Sequence, residues 1–349
     1  PWAMYSLFGL IVAYNLYIRK EKNFLTAIVA NVKNNSINKI IPIFIIIITI
    51  AGVIASLGLG TSQFIGGINQ YFNLDLGYKS ILLTVSAIGI IGTLSALTGI
   101  SKVIKYLADF DMTFSLLLLL FIACFLNFND YLYNTASAVY LYIVHFFEMS
   151  LSIGEFKTSE QFTEDWTVFY WAFWLAWVPF TGIFIARISK GRTIREFLIA
   201  TILVPAFATI LWFSVFANNA FEISEHSSKT QFNSLYTSLF VFLEHYPLSI
   251  VTIFIAIILV LVSIINSVDS AIFVLGMFSD GGKENPSRKH KLFWGIIITT
   301  TAIGLSAVGT SNLLNAISSL LTILALPFSI LYLYIIISFI VKLIKNPIK

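Results

Sequence analysis

Residues 166–188 gather side chains that can hold a positive charge without exchanging a proton. Four of the chain's seven tryptophans fall between Trp166 and Trp177, in a run with no charged residue from Trp166 to Ala186. Helical spacing sets Phe173, Trp177 and Phe180 (i, i+4, i+7) on one stripe, with Trp171 and Trp174 beside it. Aromatic faces attract a fixed cation such as a quaternary ammonium through the ring quadrupole, and indole does so best. Pro179 removes a backbone donor and frees the carbonyl of Leu175, and Gly182 follows closely. A helix weakened at this depth is tolerated where it faces protein or a watery cavity, so a break at a binding site is expected here. The other reading of the tryptophans is an interfacial belt, but belts occupy helix ends, whereas Trp171, Trp174 and Trp177 run toward the middle.

A second constellation lies at 260–273. Ser263, Asn266, Ser267, Asp269 and Ser270 interrupt an otherwise apolar helix. Oxygen ligands one turn apart on a single face suit a hard, partly dehydrated cation such as Na⁺. Serine and asparagine in such helices also bond neighbouring helices, and spacing alone leaves both readings open. Asp269, the carboxylate deepest in this run, is assigned to orienting a break in its helix rather than to ligation. Ser56 to Gln63 and the pair Gly66–Gly67 read as close helix packing. His145, His226, His245 and His290 lack metal spacing, and no nucleophile–base pairing or phosphate-binding glycine loop occurs. Glu164–Asp165, the one adjacent acidic pair, ends a loop already rich in acid, which weighs against a membrane transferase acting on lipid-linked substrates.

The elements that must position these groups are membrane helices. The chain of 349 residues is 58% hydrophobic and 11% charged, with a mean hydropathy of +0.89, which excludes a soluble globular domain. Apolar runs at about 1–18, 40–71, 78–101, 112–127, 165–188, 196–218, 246–279, 291–308 and 312–341 predict about nine spans. Residues 128–150 read as an amphipathic surface helix. Cys124, in an apolar run, is read as packing and forms no disulfide framework. The pI near 9 belongs to topology and not to nucleic acid. Loop 19–39 (Arg19, Lys20, Lys22, Lys33, Lys39), loop 187–196 (Arg187, Lys190, Arg192, Arg195) and the tail (Lys342, Lys345, Lys349) are basic, whereas 128–165 and 219–245 are acidic. Loop 102–111 is neutral, with Lys102 and Lys105 against Asp109 and Asp111. This alternation places Pro1 outside and Lys349 in the cytoplasm of a multi-pass plasma-membrane protein. Arg187 at the inner end of the aromatic helix reads as topology-setting, with a gating salt bridge the sharper reading.

Tyr170-Trp171-Ala172-Phe173-Trp174-Leu175-Ala176-Trp177-Val178-Pro179-Phe180 and Phe184-Ile185-Ala186-Arg187-Ile188-Ser189-Lys190-Gly191-Arg192-Thr193-Ile194-Arg195-Glu196-Phe197 resemble the betaine/choline/carnitine transporters. The resemblance implies an all-α polytopic fold of the leucine-transporter type, built from two inverted five-helix repeats. Residues 1–127 would be the remainder of repeat one (four helices, lacking its first core helix), 128–164 an extracellular amphipathic connector, and 165–349 repeat two. It implies that Trp2 and Tyr5 join Trp171, Phe173, Trp174 and Trp177 around the substrate, with Phe173 standing where the family usually has tryptophan. The family's Thr-Ser-x-Asp-Ser motif aligns with Asn266-Ser267-Val268-Asp269-Ser270, which carries its sodium ligands onto Ser263, Asn266 and Ser267. A second sodium site in some members maps to Thr49 and Phe180. Members that work without sodium place a cationic side chain in the region 40–78, where this chain has no Lys or Arg. The implied activity is sodium-coupled symport of a quaternary-ammonium compatible solute such as glycine betaine, choline or carnitine, with sodium as the coupling ion, no other cofactor, no enzymatic step and a homotrimeric assembly. Exchange without sodium is the alternative within the family, and a non-transporting fragment the other.

Overall fold

A computed structural model describes residues 1–98, 101–226, 232, 234–308 and 313–345, with backbone alone at 101–105, 226 and 308. Lys229, Lys349, residues 99–100 of the run expected at 78–101 and the first residue of the run expected at 312–341 lie outside the described residues, as do the side chains of Lys102, Lys105 and His226. The described chain is almost wholly helical and contains no strand. In order, the helices are α1 (Trp2–Ala13), α2 (Phe24–Val29), α3 (Asn35–Phe72), α4 (Tyr78–Thr98), α5 (Ser101–Ala123), α6 (Phe128–Val144), α7 (Phe146–Leu151) and α8 (Glu160–Phe162). There follow α9 (Phe169–Ile188), α10 (Ile194–Leu198), α11 (Val204–His226), α12 (Ser238–Glu244), α13 (Ser249–Ser279), α14 (Arg288–Val308) and α15 (Leu313–Lys345).

Caps fix where these helices begin. The Asn34 side chain accepts from the backbone N–H groups of Ser36 and Ile37 at the start of α3, and Asn73 closes that helix in a left-handed conformation. Thr193 and Glu196 form a reciprocal capping box at the start of α10, with the Thr193 N–H donating to Glu196 Oε2 at 2.9 Å.

Seven helical stretches among the described residues are long and apolar enough to cross a membrane: α3, α4, α5 from Tyr106, Glu160–Ile188, Ile194–Glu225, α13 and α15. Trp2–Ile18 is apolar but shorter, and α14 opens on Arg288, Lys289, His290 and Lys291. Bulky apolar side chains point outward from α5 (Leu116, Leu117, Leu120) and α11 (Phe207, Phe213), as a lipid-facing surface requires. The molecule is therefore a multi-pass α-helical membrane protein. The amphipathic segment forms α6 and α7, neither of which buries a residue.

Several expectations are corrected. Helix α9 runs unbroken through Pro179 from Phe169 to Ile188. Neighbouring helices press on this face and hold the geometry that the missing donor would loosen. Gly182 there serves close packing: a Cβ on Gly9 of α1 would come within 2.9 Å of the Gly182 carbonyl oxygen. Helix α13 is likewise continuous across 266–270, so Asp269 has no break to orient. The neutral loop expected at 102–111 is helical and belongs to α5, because the apolar period carried by Leu107, Phe110 and Phe114 runs through the charges. Cys124 is exposed just past the end of α5 instead of packed.

The main core joins α1, α3, α9, α13 and α15, with Phe8, Ile48, Ile54 and Phe328 fully buried. Small residues set its helix distances. A Cβ on Gly52 of α3 would lie 3.1 Å from Ala176 Cβ of α9, and one on Gly60 would lie 2.7 Å from Ile264 Cγ1 of α13. The packing role read from the glycines of α3 holds at Gly60, Gly66 and Gly67.

Candidate functional site: an aromatic wall facing an oxygen wall

The aromatic residues of α9 form a continuous ladder. Ring centroids are 6.0 Å apart for Phe169 and Phe173, 5.6 Å for Phe173 and Trp174, 6.4 Å for Phe173 and Trp177, and 5.1 Å for Trp177 and Phe180. Just N-terminal, Thr163–Val168 is a π-helical turn, a distortion common at functional sites. Trp171 does not join the ladder. It is 50% exposed and pairs with no ring among the described residues, since it lies on the opposite side of α9 from Phe173.

Helix α1 packs against α9 through Gly9 and Gly182. Its first turn sets Trp2 and Tyr5 edge to face, with centroids 5.7 Å apart. Trp2 is fixed by its indole N–H, which donates to Thr209 Oγ1 of α11 at 3.2 Å. Tyr5 is 4% exposed. Its hydroxyl and the Trp177 indole nitrogen are buried without a hydrogen-bond partner among the described residues. Buried donors are rarely left unmatched, so each marks a place where an acceptor is welcome.

A cavity of about 310 Å³ brings the two sequence constellations together. One wall is Trp177, Phe180, Thr181 and Phe184 of α9; the other is Ser263, Asn266, Ser267 and Ser270 of α13, with Asp111 of α5. The Ser267 hydroxyl donates to the Ser263 carbonyl at 2.8 Å, which leaves its lone pairs free to accept or to ligate. Thr49 is buried on α3, and its hydroxyl also lacks a partner among the described residues. Thr49 and Phe180 lie about one turn from the Gly52–Ala176 contact that joins α3 to α9.

Sequence reasoning missed Asp111, which had been counted as a loop charge, together with Thr181 and Phe184. The apolar residues flanking Asp111 at helical spacing are the signal that a span passes through it: Phe110 and Phe114 stack with centroids 4.3 Å apart. It also missed the burial of Asp269, which is 6% exposed and keeps one carboxylate oxygen without a hydrogen-bond partner among the described residues. Arg187 makes no ion pair among the described residues. Its guanidinium lies 4.7 Å from the Phe273 ring centre, and Lys291 Nζ lies 4.9 Å from the same ring. A wider recess of about 470 Å³ elsewhere, at Gln70, Thr237, Val241, Glu244 and His245, has no aromatic wall, and its Gln70–Glu244 hydrogen bond is solvent-exposed.

An aromatic ladder opposite a row of half-buried oxygens on a membrane-crossing helix, in a many-helix bundle, is the construction of a solute carrier for small charged molecules. The chain belongs to the BCCT, betaine/carnitine/choline family of transporters, which it matches over residues 1–348. It is 37% identical to the glycine betaine transporter OpuD of Bacillus subtilis, over 99% of this chain and 68% of that protein. A probable glycine betaine transporter of Desulfitobacterium hafniense is 32% identical over 95% of this chain and 68% of its own length. The betaine/ectoine transporter LcoP of Corynebacterium glutamicum is 33% identical over 99% and 56% respectively.

Proposed function

We propose that the protein carries a quaternary-ammonium or related zwitterionic compatible solute, of the glycine betaine kind, across the cell membrane, coupled to sodium. The observation that carries this reading is the cavity that sets Trp177 and Phe180 against Ser263, Asn266 and Ser267. The rings of Phe173, Trp174 and Trp177, with Trp2 and Tyr5 from α1, supply faces for a trimethylammonium head. The unpaired Tyr5 hydroxyl and Trp177 N–H suit a substrate carboxylate. Ser263, Asn266 and Ser267 offer sodium two hydroxyl oxygens and an amide oxygen, and Thr49 with Phe180 forms the second candidate position. The C-terminus is cytoplasmic in this reading, α6 and α7 lie on the outer surface, and the working assembly is a trimer. The relatives' names support the substrate class, and the row of oxygens along one cavity wall supports the ion.

Uptake of labelled glycine betaine by cells lacking other osmolyte carriers tests the reading. Saturable uptake that needs sodium and falls in Trp174→Ala and Trp177→Ala cells with equal surface expression is expected. Uptake indifferent to both substitutions removes the aromatic site from the account.

A further inference from the structure

Asp111 is a carboxylate within a membrane-crossing helix, and no Lys, Arg or His forms an ion pair with it among the described residues. Its hydrogen-bond partner is Ser263 of α13, whose hydroxyl lies 3.1 Å from Oδ1 and 2.9 Å from Oδ2. Asp111 and Ser263 also line a second cavity, of about 300 Å³, which reaches Gln63 of α3 and Ser115 of α5. The pair is thus the shared wall between that cavity and the aromatic one.

A carboxylate at this depth is costly unless a positive charge sits beside it. Because the Ser263 hydroxyl spends its proton on Asp111, its lone pairs remain free, and the Ser267 hydroxyl is likewise spent on the Ser263 carbonyl. With Asn266 on the same cavity wall, the surroundings are oxygen ligands around a single negative charge. Among the described residues no group of three or more His, Cys, Asp or Glu is placed to hold a metal ion. One carboxylate with neutral oxygens balances a single positive charge, which selects a hard monovalent cation over Ca²⁺ or Mg²⁺.

We infer that Asp111 is the charged ligand of a sodium site shared with Ser263, at the junction of the two cavities. This inference rests on the transport reading above and adds a ligand on α5 that the motif on α13 does not contain.

The test uses the intact protein in proteoliposomes and in detergent. In Asp111→Asn the sodium concentration giving half-maximal betaine uptake should rise about tenfold or more, and in Asp111→Glu much less. Without betaine, sodium but not potassium should raise the melting temperature of the wild type, and Asp111→Asn should cut that rise by half or more, leaving at most the share owed to the position at Thr49 and Phe180. This arm stands even where uptake fails. Unchanged sodium dependence in Asp111→Asn overturns the inference. So does uptake driven by a pH gradient without sodium and lost in Asp111→Asn, which would make Asp111 a proton carrier. If the wild type shows the sodium-specific thermal shift but does not bind betaine, the substrate reading falls and the cation site survives.

Discussion

The seam between α1 and α9 and the seam between α5 and α13 are built on opposite plans. At the first, backbones touch: a Cβ on Gly182 would come within 2.7 Å of the Phe8 ring and 3.1 Å of the Gly9 nitrogen. Phe197 of α10 closes the same contact, 3.3 Å from a Cβ placed on Gly9. At the second, an apolar cluster that includes Leu118, Leu119 and Ile122 of α5 and Ile253, Ala256 and Ile257 of α13 gives way to the hydrogen-bonded pair Asp111 and Ser263, which stands between cavities of about 300 and 310 Å³. Close packing without voids holds a geometry, while a polar contact flanked by space can exchange partners. The aromatic wall is therefore carried by a stiff seam, while the oxygen wall, stiff where Ile264 of α13 meets Gly60 of α3, has a yielding contact at Asp111 and Ser263.

The sharpest way to break this contrast is to overfill both seams. Gly182→Leu should destabilise the protein by about 3 kcal/mol or more, read as a lower melting temperature, because no flexible side chain can yield to it. Ser115→Val, which faces a cavity, should cost less than about 0.5 kcal/mol. Equal losses would erase the distinction between the seams.

Ligand affinity gives the next largest effect. Trp177→Ala should weaken glycine betaine binding by about 1–2 kcal/mol. Trp171→Ala, at a half-exposed position outside the ladder, should change it by less than about 0.5 kcal/mol. Radioligand binding to purified protein separates the two, and a larger loss at Trp171 would reassign the wall.

Thr193→Ala removes the capping box that starts α10 and sets the approach of Phe197 to Gly9. It should cost about 1 kcal/mol in thermal unfolding and leave the sodium dependence alone. Ser267→Ala should show the reverse pattern. Half-saturating sodium should rise severalfold, with little change in unfolding and little loss of uptake at saturating sodium.

Much of this was legible before any coordinates. The spacing of Phe173, Trp177 and Phe180 anticipates the ladder, and the polar residues from Ser263 to Ser270 anticipate the opposing wall, because both patterns follow from helical periodicity. The error at Pro179 arose because a lost backbone donor was treated as a break; the packed neighbours of α9 decide that question, and sequence does not show them. Asp111 escaped because its charge was weighed with Lys102, Lys105 and Asp109 as a loop, against the apolar period that continues through it. Trp171, set beside the stripe by helical spacing, is half-exposed and outside the ladder, because two positions on a helix carry it about 200° round from Phe173.

The central claim, that the α9 ladder holds a quaternary ammonium, is tested most directly by titrating glycine betaine into the intact purified protein in sodium buffer and following intrinsic tryptophan fluorescence. The account predicts saturable quenching or enhancement in the wild type, with a Kd raised about five- to thirtyfold in Trp177→Ala and little changed in Trp171→Ala. Equal affinity in the wild type and Trp177→Ala, with both proteins folded, would contradict it.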